Sequence, residues 1–185
     1  MPYIKGALHI HTNLSDGSLA PAEMLKVYRD LDFGFLAFTD HDYQVGSNQR
    51  YFAALPDGDR DFIVFNGLEV EWAEINYAHI SKIWGDTELL VIFNHPAQYR
   101  MEIPEVLRRI EVVNKTLKVD AIEVTHKGRY YAQYNVREIP LPKVATDDSH
   151  HADECGWAWI EVEGPRDRDG IIRAIKAGDF IRGFR

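Results

Sequence analysis

A chain of 185 residues, 45% hydrophobic and 27% charged, describes one ordinary globular domain over 1–185 with enough material for a single full core. Its net charge of −8 argues against a surface that coats nucleic acid, since affinity for that backbone rests on Lys and Arg, but permits a phosphate held through cations. No apolar run reaches the roughly 20 residues of a membrane span, the opening Met-Pro-Tyr-Ile-Lys-Gly does not read as a signal peptide, and the one cysteine, Cys155, excludes a disulfide framework and a thiolate-rich zinc site. A cytoplasmic protein is expected.

Strand-like and helix-like stretches alternate along the chain. Tyr3 to His11 reads as a first strand; Pro21 sits where helices start, with Glu23 in the first turn favoured by the helix dipole. Met24, Tyr28 and Leu31 share one face of this helix, which Gly34 terminates. The unbroken apolar run from Gly34 to Thr39 suits a strand buried on both faces and ends in Asp40-His41-Asp42. A short helix over Ser47 to Leu55 precedes the turn Pro56-Asp57-Gly58-Asp59. Phe62 to Phe65 runs as a strand into Asn66-Gly67-Leu68-Glu69-Val70-Glu71. Tyr77 to Trp84 is strand-like and contains His79, and Leu89 to Phe93 ends in Asn94-His95-Pro96. From Pro104, the residues Val106, Ile110, Val113 and Leu117 stripe one helical face. Ala121 to Thr125 is a strand, followed by a tyrosine-rich loop or helix to Tyr134. Lys143 to Thr146 ends in Asp147-Asp148-Ser149-His150-His151, Trp157 to Val162 is strand-like, and a last helix over Ile171 to Ala177 stops at Gly178.

This alternation belongs to an α/β protein with a largely parallel sheet. Polar residues gather at the C-terminal ends of the strands, the face where barrel and open α/β sites lie. A full eight-unit barrel takes about 250 residues, so a barrel of this length is short, distorted or incomplete. The strand ends supply His9, His11, His41, Glu69, His95, Asp148 and His150, with His79 from a strand interior; of the 8 histidines only His126 and His151 are left over. His9 and His11, two apart, present both imidazoles on one strand face, and Asp16 in the Ser15-Asp16-Gly17 turn can fold back toward them. Nitrogen and oxygen donors of this kind suit zinc, manganese or iron. Each has a plain alternative: His41 could cap a helix, His95 could belong to a turn and Glu69 could be a solvated rim carboxylate. Independent accidents would not all choose the same end of the sheet.

In this order, His9-x-His11 with Ser15-Asp16-Gly17, Thr39-Asp40-His41-Asp42, Gly67-x-Glu69, His79, His95-Pro96 and Asp148-Ser149-His150 resembles the PHP (polymerase and histidinol phosphatase) metallohydrolase family across nearly the whole chain. Trp157-Ala-Trp159 with Ala174 to Phe180 is most similar to the branch containing carbaryl hydrolase-like proteins. The resemblance implies a short, distorted (β/α)7-type barrel with the metal site at the C-terminal ends of its strands. It also implies three metals. His9, His11 and Asp148 would hold the first, Glu69 would bridge it to a second completed by His79 and His95, and Asp16, His41 and His150 would hold the third. Glu71 is the alternative to Glu69, with Gly67 favouring Glu69. Asp147 and His151 are alternatives to Asp148 and His150, with the Asp-x-His pattern favouring the latter pair.

Two or three divalent ions (Zn, Mn or Fe) with open positions mark a catalytic rather than a structural site. A bridging carboxylate sets cations at the separation used for displacement at phosphorus. The expected activity is therefore hydrolysis of a phosphate ester, the substrate being a small phosphorylated molecule, a nucleotide or a short oligonucleotide. A carbamate or amide hydrolase on the same metals is the alternative, and a metal-binding regulatory module without turnover the second. Lys127 and Arg129, following the strand Ala121 to Thr125, are expected to reach phosphate oxygens, Arg129 more strongly through its bidentate fork. Asp40 or Asp42 is expected to orient a ligand imidazole, Asn94 to satisfy a turn, and Tyr130, Tyr131 and Tyr134 to pack.

Overall fold

The computed structural model describes residues 3–164 and 167–185. Strand β1 (Tyr3–Ala7) leads into α1 (Pro21–Asp30), β2 (Phe35–Phe38), the short helices α2 (Asp42–Val45) and α3 (Asn48–Ala54), and the long β3 (Ile63–Trp72). Then come β4 (Ala78–Trp84), β5 (Leu89–Phe93), α4 (Ile103–Val113), β6 (Ala121–Glu123) and a small hairpin of β7 (Thr125–His126) and β8 (Arg129–Tyr130). The chain finishes with β9 (Lys143–Val144), β10 (Ala158–Glu163), α5 (Arg168–Ala177) and β11 (Phe180–Phe184).

Nine strands form one sheet in the order β11-β10-β1-β2-β3-β4-β5-β6-β9. Beyond the ends of β1 and β9, Ile10 makes an isolated parallel bridge to Ser149, with the His11 N–H donating to the Ser149 carbonyl at 2.9 Å. That bridge brings the two flanks together and nearly closes the sheet into a barrel. The fold is thus the α/β barrel expected, with one correction to the pairing. β1–β2, β2–β3, β5–β6 and β6–β9 are parallel, but β3–β4, β4–β5, β1–β10 and β10–β11 are antiparallel. For β3, β4 and β5 the cause is connection length: they are joined by short turns, and a parallel return needs a crossover of a dozen residues or more.

β2 is buried along its whole length, as its apolar run requires. Phe35, Phe65, Ile83, Ile92 and Ile160 from the strands share a core with Ile171, Ile172 and Ile175 of α5. Asp169 of α5 accepts from the backbone N–H groups of Asp86, Thr87 and Glu88, which ties this helix to the turn before β5, away from the C-terminal end of that strand. Outside the sheet, Met24, Leu25 and Tyr28 of α1 enter one core cluster, and Val106, Ile110 and Val113 of α4 another. Gly67 lets β3 pass the end of β2: a Cβ there would lie 2.5 Å from the Phe38 carbonyl oxygen.

Several boundaries differ from expectation. Regular pairing of β1 ends at Ala7, so His9 and His11 lie just past it. α1 ends at Asp30, and left-handed Asp32 (φ 60°), not Gly34, turns the chain. α4 stops at Val113, short of Leu117. β11 was not anticipated; its Phe-Ile-Arg-Gly-Phe sequence has no clean alternation, and it pairs along an edge against β10. No helix among the described residues is long and apolar enough to cross a membrane.

Candidate metal centre

Ile10 fixes the first pair of histidines. Its N–H donates to Thr39 Oγ1 at 3.0 Å and its carbonyl accepts from the Thr39 N–H at 3.1 Å, pinning the segment against the end of β2. His9 and His11, on either side, are both fully buried. The following turn is held by Asp40, which accepts from the Thr12 N–H (2.7 Å), Ser15 Oγ (2.6 Å) and Tyr51 OH (2.9 Å). Asp40 therefore positions the turn that carries Asp16, a correction to its expected role as an imidazole partner. Asp42 opens α2, and His41 occupies the N-cap position without a side-chain capping bond. Asp16 Oδ1 lies 3.5 Å from His11 Nδ1 and 3.4 Å from His150 Nε2, and its Oδ2 lies 3.5 Å from His41 Nε2.

Glu69 stands at the middle. Its Oε1 is 3.0 Å from His79 Nδ1, 3.0 Å from His95 Nε2 and 3.2 Å from His9 Nε2. Its Oε2 is 3.1 Å from His41 Nδ1 and 3.4 Å from His11 Nε2. The antiparallel course of β4 makes this possible, because the start of β4, with His79, lies beside the end of β3. Glu71 is exposed and lies 3.8 Å from His79 Nε2. Asn94, expected in a turn, instead donates to Glu69 Oε1 at 2.7 Å and to Ser81 Oγ at 2.9 Å, fixing the carboxylate.

The doubled residues after β9 separate cleanly. Asp148, in the left-handed conformation at φ 49°, turns its Oδ1 to within 3.4 Å of His11 Nε2 and 3.5 Å of His9 Nε2. Such backbone is uncommon outside glycine and recurs where a site over-determines it. Asp147 faces away, accepting from Tyr28 OH at 2.7 Å and the Gly156 N–H at 2.6 Å; burial pushes its carboxyl up to about 7. His150 joins the cluster while His151 is exposed.

One buried carboxylate was missed from the sequence. Glu123 Oε1 lies 2.7 Å from His9 Nδ1 and accepts from Thr146 Oγ1 at 2.7 Å, and its Oε2 accepts the His95 N–H at 2.8 Å. It fixes the outer nitrogen of one imidazole and the backbone of another, the support that ligand histidines require. A carboxylate inside the apolar Ala121-Ile122-Glu123-Val124 strand was the available signal.

The donor atoms fall into four overlapping groups, each spanning at most 4.8 Å: His9, His11 and Asp148; His9, Glu69 and His95; His41, Glu69 and His79; His11, Asp16, His41 and His150. All nine expected ligands are thus brought together. His79 and His95 each join Glu69 with a different histidine, His41 and His9 respectively, instead of forming a group with each other. The electrostatics fit cations here. Burial works to lower His9, but Glu123, Glu69 and Asp148 override it and raise this imidazole well above its usual range. Burial likewise opposes the ionised forms of Glu69 and Asp148, yet the surrounding imidazoles, His9 foremost, hold both carboxyls well below theirs. His41 is driven down to about 4, chiefly by burial, which leaves a neutral donor. The buried Nδ1 atoms of His11, His41 and His79 face carboxylate oxygens yet have no hydrogen-bond partner. Unmet lone pairs opposed to buried negative charge are what a divalent ion satisfies. Purified without chelators, the protein is expected to carry roughly two to three equivalents of Zn, Mn or Fe; elemental analysis finding less than one after reconstitution overturns the multinuclear arrangement.

Asp16, His41, Glu69, His79, His95, Asp148 and His150 of the cluster line a cavity of about 300 Å³, walled also by Gln98, His126 and Lys127. Lys127 Nζ lies 2.8 Å from His150 Nδ1 and 3.7 Å from Asp148 Oδ2. Arg129, expected to be the stronger phosphate contact, does not line this cavity but a neighbouring one. The cause is the tight β7–β8 hairpin, in which Lys127 (φ 50°) and Gly128 (φ 71°) form the turn and send Arg129 back along β8.

A family model described as PHP-associated, PHP_C, matches residues 130–180, less than a third of the chain. No curated protein sequence matches the chain. Among solved structures, a two-domain protein from Bacteroides vulgatus, described as containing a predicted PHP-like metal-dependent phosphoesterase, aligns with TM-score 0.70 and 16% identity, covering 100% of this chain and 65% of that one. PsfC from Pseudomonas syringae aligns with TM-score 0.72 and 17% identity over 100% and 93% of the two chains. An amidohydrolase from Chromobacterium violaceum, with bound sulfate and no metal, aligns with TM-score 0.62 and 16% identity over 96% and 97%. At these identities the likeness establishes the fold. The PHP-associated match is confined to residues 130–180, and the carbaryl hydrolase-like branch is not singled out.

Proposed function

We propose that the protein is a metal-dependent hydrolase that cleaves phosphate esters at a di- or trinuclear centre. The observation that carries this reading is Glu69, whose two oxygens face separate sets of imidazoles. When bound, the cations would supply Lewis acidity and water of lowered pKa. His9, His11 and Asp148, with Glu69, His79 and His95, and then Asp16, His41 and His150 are the residues that would hold them. Asn94 keeps Glu69 from rotating, and Glu123 keeps the Nε2 of His9 turned inward. Lys127 supplies an ammonium at the cavity wall, placed to neutralise a non-bridging phosphate oxygen. Overall, water adds at phosphorus, the ester P–O bond breaks, and the proton passes to the departing alcohol.

The fold shared with an amidohydrolase favours a second reading, hydrolysis of a carbamate or amide. Lys127 separates the two, since a neutral carbamate offers it no anion. Lys127→Ala is expected to lower kcat/KM for a phosphomonoester about tenfold, roughly 1.4 kcal/mol of transition-state stabilisation, with metal content unchanged. Arg129→Ala is expected to do less for the chemical step, the reverse of the order read from side-chain type alone. A wild-type protein that turns over an aryl carbamate and no phosphate ester overturns the phosphoesterase assignment.

A further inference from the structure

Beside the metal cavity lies a second one of about 390 Å³, walled by His126, Lys127, Arg129, Tyr131, Glu154 and Trp157. It shares His126 and Lys127 with the first, so a molecule whose phosphate sits at the cluster has this pocket next to it. We propose that the pocket receives the leaving group of the substrate and selects a planar aromatic ring bearing its own anionic substituent. The proposal rests on the phosphoesterase reading and names the substrate class for it.

Trp157 supplies the ring platform. It is 43% exposed, which leaves part of the indole accessible from the pocket. Yet it is fixed: its Nε1 donates to the Asp153 carbonyl at 2.7 Å. Gly128 packs against its base so closely that a Cβ there would come within 2.6 Å of Trp157 Cβ. An indole whose N–H is already satisfied and whose position is set by the hairpin turn offers an apolar face at little entropic cost.

Arg129 supplies the charge. It is exposed and makes no ion pair among the described residues. Glu154, the acidic residue of the wall, is committed elsewhere, its Oε2 accepting from the backbone N–H groups of His150 (2.6 Å) and His151 (3.1 Å). The guanidinium is therefore open to an anion on the ring, for which its planar fork is suited. Lys127, on the boundary of both cavities, belongs to the phosphate.

The test uses the metal-loaded protein and non-hydrolysable probes, so that binding is read apart from turnover. Methylphosphonate, phenylphosphonate and carboxyphenylphosphonate are titrated calorimetrically, and kcat/KM is measured for phenyl phosphate and glycerol phosphate. The wild type is expected to bind the phenyl probe more tightly than the methyl probe. Trp157→Ala should reduce that preference about tenfold, with Trp157→Phe recovering part of it. Arg129→Ala should reduce the preference for the carboxyphenyl over the phenyl probe about fivefold. Should Trp157→Ala lose its cooperative melting, Trp157→Leu and Arg129→Ala carry the same comparisons. Hydrolysis of glycerol phosphate together with ring and carboxylate preferences that these substitutions leave intact overturns the pocket and spares the phosphoesterase reading. A Trp157-dependent ring preference in a protein that hydrolyses no phosphate ester supports the pocket and overturns that reading.

Discussion

Glu69→Gln is expected to lower kcat by about a hundredfold or more, equivalent to roughly 2.7 kcal/mol of barrier, while the protein still folds. The amide keeps the volume and can still meet Asn94, so the packing at the end of β3 survives. What it loses is charge, and it presents an N–H₂ to imidazoles that now face an oxygen at 3.0–3.4 Å on both sides. A group placed between two sets of donors cannot serve both when one of its atoms is no longer an acceptor. Glu71→Gln, at an exposed position 3.8 Å from His79, should be far milder. Activity, metal content and melting measured in parallel decide the matter; the opposite ranking would show that the wrong carboxylate has been placed at the bridge.

Glu123→Gln should be the next most damaging change, although this residue touches no proposed cation. With its carboxylate 2.7 Å from the Nδ1 of His9, the Nε2 of that imidazole is turned toward Glu69 and Asp148, 3.2 and 3.5 Å away, where a cation would take up its lone pair. A glutamine can turn only one oxygen to three buried donors, His9, Thr146 and the His95 N–H. The expected loss is about 10- to 100-fold in metal affinity, read by competition with a chelator and followed by a matching loss of activity at limiting metal. Glu123→Gln with unaltered metal affinity would reduce Glu123 to a packing residue.

Most of the ligands were legible in the sequence because they sit where apolar strands stop, and strand ends are readable from hydrophobic runs. His9, His41, His95 and Asp148 lie just past such ends, whereas Glu69 lies inside β3, which runs on to Trp72; the structure gathers all five into the overlapping donor groups. What supports them was not legible. Glu123 and Asn94 act through contacts across 114 and 25 residues of chain; the apolar stretch around Glu123 marks it as buried but not what it holds, and nothing local distinguishes Asn94 from a turn amide. The reversal of β4 was hidden because periodicity reports burial and not direction. Arg129 was misplaced for a related reason: its position depends on the left-handed Lys127-Gly128 turn, and a lysine there carries no marker of positive φ.

The near-closure of the sheet has a mechanical side. His9 and His11 follow β1, which lies inside the sheet beside β10, and Asp148 and His150 follow the edge strand β9; across the seam between them the backbone makes the isolated Ile10–Ser149 bridge. Cations gripped from both sides would rivet that seam, so that loading the centre and shutting the barrel become one event. Ligand held at a hundred times its dissociation constant adds about 2.7 kcal/mol to folding, and here the gain would fall on the weakest joint of the wall. Chelation should therefore lower Tm and, before any global unfolding, speed amide exchange around residues 9–12 and 148–150 while β2 and β5 stay protected. The barrel would breathe along one line, and the metal would be its clasp.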